Sequence, residues 1–169
     1  YNEKTKQFEV NQHRAGNTMF INTEMDLRKE LDIMFVACIS GAERMHIRRN
    51  EYDVGEEERV DKAGEILKNS GIYVVDMPEF TTRTLTERIE EYVRMYDIKN
   101  VVFDYVQNNG FVAKEISSET KVPQREDMVL LALTERLKQI QRKENVGLLS
   151  SVQTNGVEDE LTYPTERVM

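Results

Sequence analysis

Val101-Val102-Phe103-Asp104 is the stretch on which the fold turns, three apolar β-formers in a row met at once by a carboxylate. An unbroken apolar run of this length, without the alternation of a half-exposed strand, belongs to a strand covered on both faces. Its surroundings repeat the pattern. Upstream, Leu85, Ile89, Tyr92, Val93 and Tyr96 fall on one face of a helix, and Thr84 with Glu87 has capping-box spacing at its start. Before it stands the apolar strand Ile72-Tyr73-Val74-Val75, and before that a helix marked by Val60, Ala63, Ile66 and Leu67 and closed by Asn69-Ser70-Gly71. Met19-Phe20-Ile21-Asn22-Thr23 is a further strand, feeding a helix that Asp26 opens and Leu27, Leu31, Met34, Phe35 and Cys38 line. Downstream, the polar stretch 107–125 has the composition of a mobile loop. Leu130, Leu133, Leu137 and Ile140 then define another helix, and Val146-Gly147-Leu148-Leu149 the last strand. Strands alternating with helices of a dozen residues imply an α/β domain, a mostly parallel sheet with helices on both faces.

The chain has 169 residues, 39% of them hydrophobic, which suits one compact domain. Nothing approaches the ~20 apolar residues of a membrane span, and residues 1–11 are polar where a secretory signal is apolar, so a soluble, cytoplasmic protein is expected. A formal charge of -8 disfavours nucleic-acid binding by bulk electrostatics and confines any such contact to a local patch. Residues 51–61 hold six acids and one arginine, the composition of a solvated helix face. The single cysteine, Cys38, lies in an apolar run and is expected in the core. His13 and His46 have no ligand partner at metal spacing and are expected on the surface.

In parallel α/β sheets ligands bind beyond the carboxyl ends of the strands. Three strands lead into polar residues of useful type: Glu24 after Met19-Phe20-Ile21-Asn22-Thr23, Asp104 after Val101-Val102-Phe103, and Gln153 after Leu148-Leu149-Ser150-Ser151-Val152. An apolar strand ending in aspartate is the Walker B arrangement, in which the carboxylate holds a water of the Mg²⁺ bound to nucleotide phosphates. A neighbouring glutamate suits proton abstraction from water, and a glutamine suits hydrogen bonding to a γ-phosphate.

These residues occur in a fixed order within longer motifs. Phe20-Ile21-Asn22-Thr23-Glu24-Met25, Val102-Phe103-Asp104-Tyr105-Val106-Gln107 and Ser150-Ser151-Val152-Gln153-Thr154-Asn155 resemble three successive motifs of the DnaB-like replicative helicases, with further similarity at Ile47-Arg48 and Leu137-Lys138. The resemblance implies a RecA-like ATPase core over 19–156. It makes Glu24 the catalytic base, Asp104 the support of Mg²⁺ through water, and Gln153 the sensor of the γ-phosphate. It also implies ATP and Mg²⁺ as cofactors, single-stranded DNA as partner, and identical subunits in a ring, expected to be a hexamer. The loop after the aspartate faces DNA in that family, which makes Lys114, Lys121 and Arg125 candidate contacts within a segment of net charge +1.

The phosphate-binding loop GxxxxGK[ST] of the family has no match. Glu3-Lys4-Thr5 lacks the glycine and the following apolar helix. Residues 1–18 therefore resemble a charged insertion behind a phosphate-loop helix that this chain does not contain, and 157–169 an unassigned polar tail. The chain is expected to be a piece of the motor, its core incomplete, binding neither ATP nor Mg²⁺ by itself. The main rival reading is a non-catalytic RecA-like regulatory or assembly module. A recombinase-like or clock-type ATPase of the same superfamily is a third.

Overall fold

The computed structural model describes residues 16–107, 109–121 and 125–152. Four strands form one all-parallel sheet: β1 (Asn17–Asn22), β2 (Ile72–Asp76), β3 (Ile98–Val106) and β4 (Gly147–Val152), in the order β2-β1-β3-β4. β1 takes in two residues expected in the leader; residues 1–15 of the leader, and the tail, lie outside the described residues. The register aligns Met19 with Val101, and Ile21 with Phe103 and Val75, on one face of the sheet. By the two-residue period of a strand, Phe20, Val102 and Leu149 lie on the other.

The first face carries the core. Met19, Ile21, Val101 and Phe103 are at most 1% exposed and pack in one cluster with Leu85 and Ile89 of α4 (Thr82–Tyr96) and Val129, Leu133, Leu137 and Ile140 of α6 (Glu126–Glu144). Those helix residues recur every three or four positions, the spacing that lays an apolar stripe along one face. Tyr73 stacks on Tyr96 at 4.4 Å between ring centroids and meets Tyr92 edge-on at the margin of this cluster. On the opposite face a π-helical turn, Leu27–Leu31, runs into α1 (Asp32–Ser40), whose Phe35 sits edge-on against Phe20 at 5.4 Å. Next come α2 (Arg44–Arg49) and α3 (Glu56–Lys68), the latter packed on α1. Gly71, at φ 70, turns the chain from α3 into β2; a side chain there would collide with that of Asn17.

Four expectations change. Most of the segment expected as a loop is helical: α5 (Gly110–Thr120), capped by Asn109, whose side chain accepts from the Phe111 N–H at 2.8 Å. Its polar composition concealed a sparse apolar face, Val112, Ala113 and Ile116, that packs on the core cluster. Cys38 is exposed, because α1 is apolar on every side and buries only part of its circumference. The capping box of α4 is Thr81 with Thr84, two hydroxyls exchanging bonds with each other's backbone N–H, three residues earlier than the Thr84 and Glu87 spacing indicated. Glu56, within the run of acids expected to be solvated, is 4% exposed.

Candidate functional site

β1 stops at Asn22, and the turn that follows carries Glu24 into solvent two residues beyond the strand. Asp104 pairs in register with Asn22, so it reaches the same sheet edge although β3 itself runs on to Val106. The two carboxylates thus stand at adjacent strand ends of one edge. Asp104 is half-buried, and among the described residues no protein group hydrogen-bonds its carboxylate. Half-burial beside an open edge leaves acceptor oxygens free for the water shell of a hard cation, the donor type that Mg²⁺ prefers.

Main-chain bonds lock the two strand ends together. The Thr23 hydroxyl donates to the Asp104 carbonyl at 2.7 Å and the Thr23 N–H to the same oxygen at 3.2 Å. Gln107 Nε2 donates to the Thr23 hydroxyl oxygen at 3.2 Å, closing the arrangement behind the two acids. Tyr105, next to Asp104, lies close enough to Glu24 for its phenol to interact with that carboxylate. Burial is the main cause holding the Tyr105 phenol above its ordinary value. The bond to Glu24 and the negative charges of Glu24 and Asp104 add to the shift, since all three disfavour a phenolate. Tyr105 is therefore a neutral phenol beside the Glu24 carboxylate.

Gln153 lies outside the described residues, as do Thr154 and Asn155. β4 does lie beside β3, with Leu149 against Val102, and the Ser150 hydroxyl donates to the Phe103 carbonyl at 2.7 Å. Lys114, Lys121 and Arg125 stand on and beside α5 rather than on a mobile loop, which removes the argument from mobility for DNA contact. Lys114 Nζ sits 5.9 Å above the Phe111 ring, both side chains exposed. Lys121 is the exposed left-handed cap of α5. The Arg125 guanidinium is held by Asp127 through two bonds of 3.1 Å.

A second polar cluster joins α2 to α3. Glu56 Oε2 accepts from His46 Nδ1 at 2.8 Å and from the Asp53 N–H at 3.0 Å, while Oε1 accepts from the Glu43 N–H at 3.2 Å. His46 is thus not a free surface histidine. His46, Asp53 and Glu56 bring possible ligand atoms within 4.8 Å of one another, but the three N–H donors already occupy the Glu56 carboxylate. The cluster is a latch between helices. Its bonds lower the pKa of Glu56, the Asp53 N–H contributing most, and raise that of His46, chiefly through the bond to Glu56; burial opposes both shifts. His13 lies outside the described residues.

Sequence reasoning missed Tyr105, Thr23, Asn22 and Asp76 as parts of this edge. One signal was available: asparagine is depleted in strands, so Asn22 at the end of an apolar one marks a polar side chain with a local task.

Residues 4–161 match the family described as the DnaB-like helicase C terminal domain. The SPbeta prophage-derived uncharacterized protein YorI of Bacillus subtilis (strain 168) is 32% identical over 156 residues, which are 92% of this chain and 31% of that protein. A solved DnaB-like replicative helicase, studied with its interactions with primase, superposes over 80% of this chain and 31% of its own with a TM-score of 0.64 at 13% identity. A second solved structure, of an ATPase domain, gives 0.59 at 15% identity over 80% of this chain and 46% of its own. At such identities the structural likeness speaks for the fold, which is RecA-like. Among the described residues no helix is long and apolar enough to cross a membrane. The match over most of its length, the all-parallel sheet and the acids at its edge all agree that this chain belongs to the DnaB-like helicase C-terminal domain family.

Proposed function

We propose that this chain forms part of an ATP-hydrolysing motor that moves along single-stranded DNA as a ring of identical subunits, most simply a hexamer. The observation that carries the reading is the pairing of Glu24 and Asp104 at adjacent parallel strand ends, with the Tyr105 phenol beside Glu24. Glu24 is the proton acceptor for the water that attacks the γ-phosphate. It is exposed at the edge, beside the neutral Tyr105 phenol. Asp104 would hold Mg²⁺ through water; the ion, when bound with ATP, supplies charge neutralisation at the phosphates. Gln153 follows β4 directly in sequence and is proposed to sense the γ-phosphate. Lys114 and Lys121 are the proposed DNA contacts in this chain, since Arg125 is engaged by Asp127. The exposed Phe111 ring beside Lys114 adds a stacking surface of the kind single strands use.

The test is phosphate release and nucleotide binding by the intact protein and its Glu24→Gln variant. The amide keeps the shape of the carboxylate but cannot take up the proton, so binding should persist while turnover falls by at least about 100-fold. Normal turnover by the variant, or no ATP hydrolysis by the intact protein, overturns the reading. The second of these outcomes favours a regulatory or assembly module.

A further inference from the structure

The turn that carries Glu24 is held by the residue two places before it. Asn22 is 1% exposed at the end of β1. Its Nδ2 donates to the Met25 carbonyl and to Asp76 Oδ1, both at 2.7 Å, and its Oδ1 accepts from the Met25 N–H at 3.1 Å. One side chain thereby captures both main-chain polar groups of Met25, and Glu24 cannot swing without breaking those bonds. From the other side, the Met77 N–H takes the Asn22 carbonyl at 2.8 Å. The orientation of the amide follows from its partners, one donor facing Oδ1 and two acceptors facing Nδ2. Asp76 ends β2 in register with Asn22, and its side chain is the exposed member of the set.

We propose that Asn22 is a positioning residue for Glu24, fixing its turn and tying it, through Asp76, to the end of β2. This rests on the reading of Glu24 as the proton acceptor. No other common side chain meets the three bonds. Serine is too short to span Met25 and Asp76 together. Aspartate has the right shape but sets an acceptor against the Met25 carbonyl and a second carboxylate, while leaving the bond from the Met25 N–H possible. Asn22→Asp is therefore a near-isosteric change that reverses the hydrogen-bond logic. Adding Asp76→Asn restores it in part, because the new amide at position 76 can donate to the new carboxylate at position 22.

The experiment is steady-state ATP turnover by the intact protein carrying N22D, N22D/D76N, D76A or E24Q, with thermal unfolding followed in parallel. A displaced base lowers kcat, and a misplacement of about 1 Å can cost on the order of 100-fold. N22D should lower kcat by about 10- to 100-fold with the KM for ATP little changed, and N22D/D76N should recover part of that loss. D76A, which removes only the exposed partner, should lower kcat less, and it serves as the comparison should N22D fail to fold. Loss of turnover in E24Q with unchanged kcat in N22D and D76A overturns the positioning role alone. A drop in N22D that the second substitution does not recover also overturns it. Normal turnover in E24Q overturns the catalytic reading, and the positioning role with it.

Discussion

Truncating Phe103 should cost more than any change on the surface, and the amount follows from where the ring lies. Phe103 is 0% exposed in β3, directly before Asp104, and meets Phe80 edge-on with centroids 5.5 Å apart and planes at 88°. Phe80 is itself 2% exposed, so the pair forms a buried aromatic contact between the sheet and the segment leading into α4. Removing a fully buried phenyl group costs about 3–5 kcal/mol, of which the ring-to-ring geometry supplies roughly 0.5–1.5. With a urea slope of about 2 kcal/mol/M, F103A should lower the denaturation midpoint by roughly 2 M. F103L keeps most of the volume and should cost under about 1.5 kcal/mol. Urea titrations followed by circular dichroism on F103A, F80A and the double variant measure both quantities. The coupling between the two should be about 0.5–1.5 kcal/mol, since the second truncation removes a ring that has already lost its partner. Leu131, 50% exposed on α6, is the control, and its truncation should shift stability by less than about 1 kcal/mol. A cost for F103A below about 1 kcal/mol, or full additivity with F80A, would refute the packing described for this face.

Two further outcomes follow from charge. His46 has a raised folded pKa, so its contribution to the latch is complete below the ordinary histidine value of 6.5 and is lost as pH climbs through the raised value; Glu56, lowered, contributes fully above 4.5 and loses that contribution as pH falls through its lowered value. The latch is therefore strongest between those limits, and H46A should flatten the alkaline side of a melting-temperature profile; an unaltered profile would show that the His46 bond carries no stability. For Lys114 and Lys121, the double substitution K114E/K121E should weaken single-stranded DNA binding by the intact protein and reduce the salt slope by about 0.7 per lost phosphate contact. An unchanged slope in a salt series would remove both residues from the interface.

The fold was legible because its determinants are local and apolar. Parallel strands buried on both faces appear as unbroken hydrophobic runs, and α4 and α6 present stripes at helical spacing; both patterns survive without knowledge of what they pack against. The segment 107–125 failed the same test for a physical reason. A helix needs only one buried stripe, and in α5 that stripe is three short or branched residues among lysine, glutamate and serine, held by a cap that a sequence shows as a bare asparagine. Composition measured the solvated majority of the helix and missed the packed minority. Glu56 was hidden in the same way, its burial arising from two N–H groups and a histidine that lie 3 to 13 residues away.

At the site the division falls between what chemistry requires and what geometry supplies. A strand followed by a carboxylate is visible in a sequence, so Glu24 and Asp104 could be named as candidates by position, while the roles proposed for them came from the resemblance of the longer motifs. The groups that aim them could not. Thr23 acts through the carbonyl of Asp104, 81 residues distant, and Asn22 through the carboxylate of Asp76, 54 residues distant. Neither link exists until β1 lies between β2 and β3, and that order, β2-β1-β3, follows from how crossovers pack rather than from any single motif. The strand at the centre of the site is thus the one whose polar residues find partners on both sides. A substitution in β2, remote in sequence from either acid, can therefore reach the turn that carries Glu24 through the Asn22 side chain.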